Sequence, residues 1–169
     1  MLELLDQIDA ANASGLHYLA LMGALAVPDI CAALAAKNGR TDGTKYRQWV
    51  RDHIAEADRQ GLSPSDLYRF RCSMLHQGSG HHHGDELERV IFVEPGNGPK
   101  VSSTKMINVG GESTHVIDLV DFCTSITSAE RSWLAAHAAS PRVMANLVRF
   151  IRRHPNGIPP FIVGTPVVG

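Results

Sequence analysis

Cysteine is too sparse to hold this chain together. Its 169 residues carry three, Cys31, Cys72 and Cys123, an odd number spread far apart with no Cys-x-x-Cys pair. That excludes a disulfide scaffold and points to reduced thiols serving as small core residues in a cytoplasmic protein. Strong charge of either sign is also missing, since 16 basic and 17 acidic side chains leave a formal net charge of −1. A polyanionic partner must therefore be met by a local patch. The opening Met1-Leu2-Glu3-Leu4-Leu5-Asp6 lacks the basic region and cleavage site of a secretory signal, so the chain is expected to stay inside the cell. Leu16 to Ala36 is apolar, but Pro28-Asp29 interrupts it short of the ~20 residues that a membrane span needs. Two buried helices meeting at a corner are expected there, and no membrane. Asn97-Gly98 and Gly110-Gly111 lack the strand, loop and helix order of a phosphate-binding loop, and no nucleophile motif surrounds Ser73 or Ser79.

An apolar share of 44% is enough to build one core without metal or disulfide. The first helix is expected over 2–25, with Pro28-Asp29 starting a second that Asn38-Gly39 closes. From Lys45 to Arg59, Tyr46, Trp49, Val50, His53, Ile54 and Ala57 fall within one arc at ~100° per residue, which predicts an amphipathic helix. His53 inside that arc reads as a hydrogen-bonded core residue. Ser63-Pro64-Ser65-Asp66 combines a capping serine, a proline at the first helical position and an early acid, so another helix starts there and ends near Gly78. Helical patterning returns over 118–137, and Ser140-Pro141 opens a final helix reaching His154-Pro155. Between these, Arg89-Val90-Ile91-Phe92-Val93 reads as a strand, with a partner near Lys105–Val109 or Thr114–Ile117. The expected fold is mainly α: a single domain over residues 1–154 with a small β-hairpin insertion at about 88–117. An extended, proline-rich apolar tail over 155–169 is expected to strap onto the body or a partner.

One helix carries an anomaly. On a wheel of Leu67 to Gln77, Leu67, Phe70, Met74 and Leu75 share a face, and Arg71 lies in its middle. A buried guanidinium must meet a carboxylate, backbone carbonyls, a partner subunit or an anion. Tyr68, Cys72 and His76 form a second stripe, leaving chiefly Arg69, Ser73 and Gln77 for solvent. His76 occupies the last turn before Gly78, where the helix dipole favours a protonated imidazole.

Arg71-Cys72-Ser73-Met74-Leu75-His76, followed by Gly78, resembles the Arg-(four to six residues)-His signature of the HEPN superfamily. The match covers about eight residues. It implies an up-and-down helical bundle, a homodimer that brings two motifs together, and either metal-independent RNA cleavage or a non-catalytic dimerisation and interaction module with a cognate protein partner. No cofactor is implied. Cys72 stands where the family usually has Asn, Asp or His. Arg69 also satisfies the spacing and lies nearly in line with His76, whereas Arg71 is ~140° away; Arg71 is favoured because it fits the family's Arg-polar-x-x-x-His-Gly form. The chemistry implied is a histidine that moves the ribose 2′-hydroxyl proton while arginine holds the phosphate, leaving a 2′,3′-cyclic phosphate.

Other constellations are weaker. His81-His82-His83 sits in a glycine-flanked stretch, with Asp85 and Glu86 close behind, and offers imidazoles to a metal in a regulatory domain. Adjacent histidines do not readily face one ion, so no metal is assigned. Arg142, Arg149 and Arg153 align on one stripe of the expected last helix, with no acid after Glu130, and together with Arg69 they are the candidate contacts to RNA phosphates.

Overall fold

Ser14-Gly15-Leu16, and not Pro28, is where the first long apolar stretch breaks. The computed structural model describes residues 1–80, 89–96, 105–109 and 112–169. Helix α1 (Leu2–Ala13) ends where Gly15 takes φ +74°, a conformation that costs glycine little, and Gly15 and Leu16 donate back to the Asn12 and Ala11 carbonyls. Helix α2 (His17–Ala35) then runs without interruption through Pro28, so the expected corner at Pro28-Asp29 does not form. Proline removes the donor that would reach the Ala24 carbonyl, but the helix keeps its course because it is packed on several sides. By length and composition α2 is apolar enough to cross a membrane, and just over half of it is buried within the fold.

Around α2 pack α1, α3 (Gly43–His53), α4 (Pro64–Gln77), α5 (Leu119–Ala136) and α6 (Pro141–Leu147), giving six helices among the described residues and a mainly α fold. Asp42 caps α3 by accepting from the Thr44 and Lys45 amides. Of the arc expected on this helix, Tyr46, Trp49, Val50 and Ile54 are buried, but His53 is exposed. The capping box of α4 is formed as its sequence dictates, with Ser63 accepting from the Asp66 amide and Asp66 from the Ser63 amide. Gly78 closes the helix in the left-handed conformation.

The insertion is more than a hairpin. Strands β1 (Arg89–Val93), β2 (Lys105–Val109) and β3 (Glu112–Asp118) all form, in the order β1-β3-β2, with β3 parallel to β1 and antiparallel to β2. Phe92 bridges sheet and helices, its ring centroid 5.2 Å from both Phe70 and Phe122. Ser73, expected in solvent, is buried. Gln60 clasps the exit of β3 from both sides, donating to the Asp118 carbonyl and accepting from its amide.

Helix α6 is shorter than expected. Asn146 ties it to the end of α2 by donating to the Leu34 and Ala36 carbonyls, and the chain turns after Leu147. Arg152 then exchanges backbone hydrogen bonds with Gly169, so pairing with the C-terminus replaces the last helical turns. Strand β4 (Arg153–His154) pairs with β7 (Val167–Val168), and β5 (Gly157–Ile158) with β6 (Ile162–Val163). The tail is therefore a β-hairpin arm over 152–169, turning at Pro159-Pro160, and not an extended strap. Gly157 is required in it, because φ is +84° and a Cβ would strike the Ile162 carbonyl.

Candidate functional site

Arg71 finds its partner on α2. Its Nη2 lies 2.5 Å from Asp29 Oδ2, with the arginine and aspartate side chains only 19% and 12% exposed. The Thr41 hydroxyl donates to the other carboxylate oxygen, at 3.3 Å. Burial pushes the Asp29 carboxyl above its usual pKa, although Arg71 and Thr41 pull it down. Desolvation works against the charge of Arg71, but Asp29 and Cys72 outweigh it and raise the guanidinium pKa. Asp29 was missed in the sequence because Pro28-Asp29 reads as a helix start. The available signal was a carboxylate inside an apolar run, which needs a cation as much as Arg71 needs an anion.

The free side of the guanidinium turns to His76. Arg71 Nη1 lies 3.1 Å from His76 Nε2 and 3.8 Å from Cys72 Sγ. Arginine only donates, so in this contact Nε2 is the acceptor. The wheel placed Arg69 in line with His76, yet a long arginine side chain bridges the offset from Arg71, while Arg69 lies 3.8 Å from Asp66. His76 is exposed, so the buried pair Asp29–Arg71 ends in an imidazole open to solvent. Tyr68 forms an adjoining wall. Its ring packs tilted against that of Tyr46, with centroids 5.3 Å apart, and the Arg47 guanidinium sits 5.1 Å from the Tyr68 centroid. No protein-family model, curated protein or solved structure matches the chain.

Truncating Asp29 leaves Arg71 half-buried beside no carboxylate. Asp29→Ala is expected to cost about 2 kcal/mol, below the usual figure for a fully buried pair because Arg71 keeps some access to water. A thermal melt should show a drop of roughly 5 °C for a domain of this size. An unchanged melting temperature contradicts the pairing described here.

The remaining sequence candidates are scattered. Arg142 lies on α6, Arg149 in the turn after it and Arg153 in β4; all three are exposed. The stripe they were expected to share does not exist, because the helix ends at Leu147. No hydrogen bond, ion pair or ring contact among the described residues joins them to Arg71 or His76. His81, His82 and His83 lie outside the described residues, within which no three His, Cys, Asp or Glu side chains gather as a metal site.

Three further features were not anticipated. A groove of about 320 Å³ lies beside α4, lined by Phe70, Met74, Phe92 and Leu119 together with His17 and Tyr18. It does not contain Arg71 or His76. His53 joins Trp49, Trp133 and His137 in a ring cluster, with His137 stacked 4.7 Å from Trp133. Partial burial holds the His53 pKa below its ordinary value, with Asp52 opposing and His137 adding to the shift. Finally, Glu130 is fully buried on α5, accepting from the Cys31 thiol at 3.4 Å, and its second oxygen has no partner among the described residues.

Proposed function

We infer that this chain is a HEPN-like, metal-independent endoribonuclease that works as a homodimer and cleaves RNA at the Arg71–His76 pair. The observation that carries this reading is the 3.1 Å contact between Arg71 Nη1 and His76 Nε2 at the solvent-exposed end of α4. The two residue types that the motif supplies for RNA cleavage meet. A mainly helical fold with the motif closing one of its central helices supports the same reading.

In this reading each group has a role. Asp29 fixes the guanidinium from behind. A phosphate arriving at Nη1 is a stronger acceptor than an imidazole, so it draws that donor away and frees Nε2. The released nitrogen takes the 2′-hydroxyl proton, the 2′-oxygen attacks phosphorus, and the 5′-oxygen leaves with a proton from an acid such as the second imidazole of the dimer. A 2′,3′-cyclic phosphate results. Arg142 and Arg149, exposed and without carboxylate partners among the described residues, are the contacts proposed for the RNA backbone.

Pure protein with a chelator present should cut single-stranded RNA and leave DNA of the same sequence intact. Equal cleavage of DNA, or loss of activity in chelator, contradicts the mechanism.

A second reading has an observation of its own. The Asp29–Arg71 ion pair satisfies much of the guanidinium within one chain, as a structural pair in a non-catalytic HEPN-like interaction module also requires. The two readings part on Asp29→Asn. In an enzyme it alters cleavage; in a module it changes only stability.

A further inference from the structure

The C-terminal arm is an apolar surface without a cover. Its strands pair only with each other, and Phe161, Val163 and Val168 are 84%, 72% and 70% exposed. The same exposure continues back through Ile151 and Val148 to Met144. A lone two-stranded hairpin is marginal in water, and apolar patches of this kind mark interaction sites. Pro155, Pro159, Pro160 and Pro166 interrupt the edges of the arm, so its faces, and not strand addition, are left for a partner.

Charge identifies the partner. From Arg142 to Gly169 the chain has no acid, and Arg152 and Arg153, which unlike Arg142 and Arg149 lie at the base of the arm, are exposed without a carboxylate partner among the described residues. From Met1 to Ala36 the balance is reversed, with Glu3, Asp6, Asp9 and Asp29 and no lysine or arginine. Asp29 is committed to Arg71, and the single Arg131 is shared by Asp6 and Asp9, which leaves the α1 edge net acidic. The same N-terminal helices expose Leu2, Leu16, Tyr18 and Leu19. The molecule thus carries two uncovered apolar surfaces of opposite charge. They adjoin, since Glu3 and Leu4 line a cavity of about 160 Å³ together with Arg152, Arg153 and Val168 at the base of the arm.

We propose that the arm seats on a second copy of this chain, each arm lying across the partner's α1 and the start of α2 in a two-fold exchange. Such an arrangement covers both surfaces at once, because each copy gives an arm and receives one. Arm against arm would instead oppose arginine to arginine. RNA would answer the arginines but leave Phe161, Ile162, Val163 and Val168 in water. Residues 152–169 with Met144, Val148 and Ile151 match the roughly 20–30 residues a side of a standard interface. Neither Arg71 nor His76 takes part in this contact.

Sedimentation velocity of the full chain over a concentration series tests it. A dimer is expected, weakening as salt rises. Phe161→Asp combined with Val163→Asp should weaken it at least ~10-fold. The circular dichroism and melting of the isolated protomer should not change, because both side chains are exposed. A photo-crosslinker at position 161, with isotope-labelled and unlabelled copies mixed, should join the arm to residues 1–22 of the other copy. A monomer at every concentration, a dimer indifferent to the arm variant, or crosslinks to other segments overturns the proposal. So does a monomer that loses RNA binding with the arm variant, which assigns the arm to RNA.

Discussion

His76→Ala should retain at most about one hundredth of the parent's rate on single-stranded RNA, because removing a positioned proton-transfer group costs 10²–10⁴ in rate. His76 is exposed at the end of α4, and its one described hydrogen-bond contact is with Arg71, so the substitution should leave folding intact. The loss should lie in the rate of the chemical step under saturating RNA, since the imidazole moves a proton in the transition state. Arg71→Lys should also be slow, although it keeps the charge. An ammonium cannot hold Asp29 with one edge and present a second donor toward the substrate with the other. A His76→Ala variant that folds and cuts as fast as the parent removes His76 from the mechanism.

The largest effect on stability should come from Glu130→Gln. Burial, countered in part by the Cys31 thiol, raises the Glu130 carboxyl from its ordinary 4.5 to about 8. Below pH 4.5 both folded and unfolded chains hold the proton, and the group exerts no pH-dependent effect. Between pH 4.5 and 8 the folded chain keeps a proton that the unfolded chain has lost, so this group makes stability fall as pH rises. Above pH 8 the full penalty is present, on the order of 4 kcal/mol. Glutamine is neutral throughout and removes the slope, while its extra amide hydrogen forgoes about 1 kcal/mol in the same pocket. Denaturant unfolding should therefore find the variant more stable than the parent by about 3 kcal/mol at pH 8.5, and no more stable near pH 4. Parallel pH profiles for the two proteins contradict a buried, proton-bearing Glu130.

How much of this was legible depends on how local the determinants are. Helix α4 was written out in full, since its capping box, first-turn proline and closing glycine act within a few residues of each other. The break between α1 and α2 had a local signal as well, Ser14-Gly15, but Pro28 appeared stronger and drew the boundary to the wrong place. Burial on several sides let α2 keep a proline that an exposed helix would reject. The strands of the insertion were legible by composition. Their order was not, because the parallel pairing of β1 with β3 joins segments that are far apart in sequence. The arm shows the same limit. Asn156-Gly157 and Pro159-Pro160 plainly forbid helix, but only the pairing of Arg152 with Gly169 turns the tail back on itself.

At the site, Arg71 declared itself by standing on an apolar face, and His76 by its place in the last turn. Asp29 did not, since it comes from another helix and its own signal was absorbed by the proline before it. The ring cluster at His53 was hidden for a similar reason: Trp133 and His137 arrive from α5. A periodicity argument assigns a residue to a face, but it does not say what that face meets.

End-group analysis of RNA cut by the purified chain, with chelator present and His76→Ala run beside it, tests the central claim most directly. The account predicts 2′,3′-cyclic phosphate ends from the parent, and almost none from the variant in the same time. Intact RNA after incubation with the parent, or products ending in a 3′-hydroxyl, would contradict it.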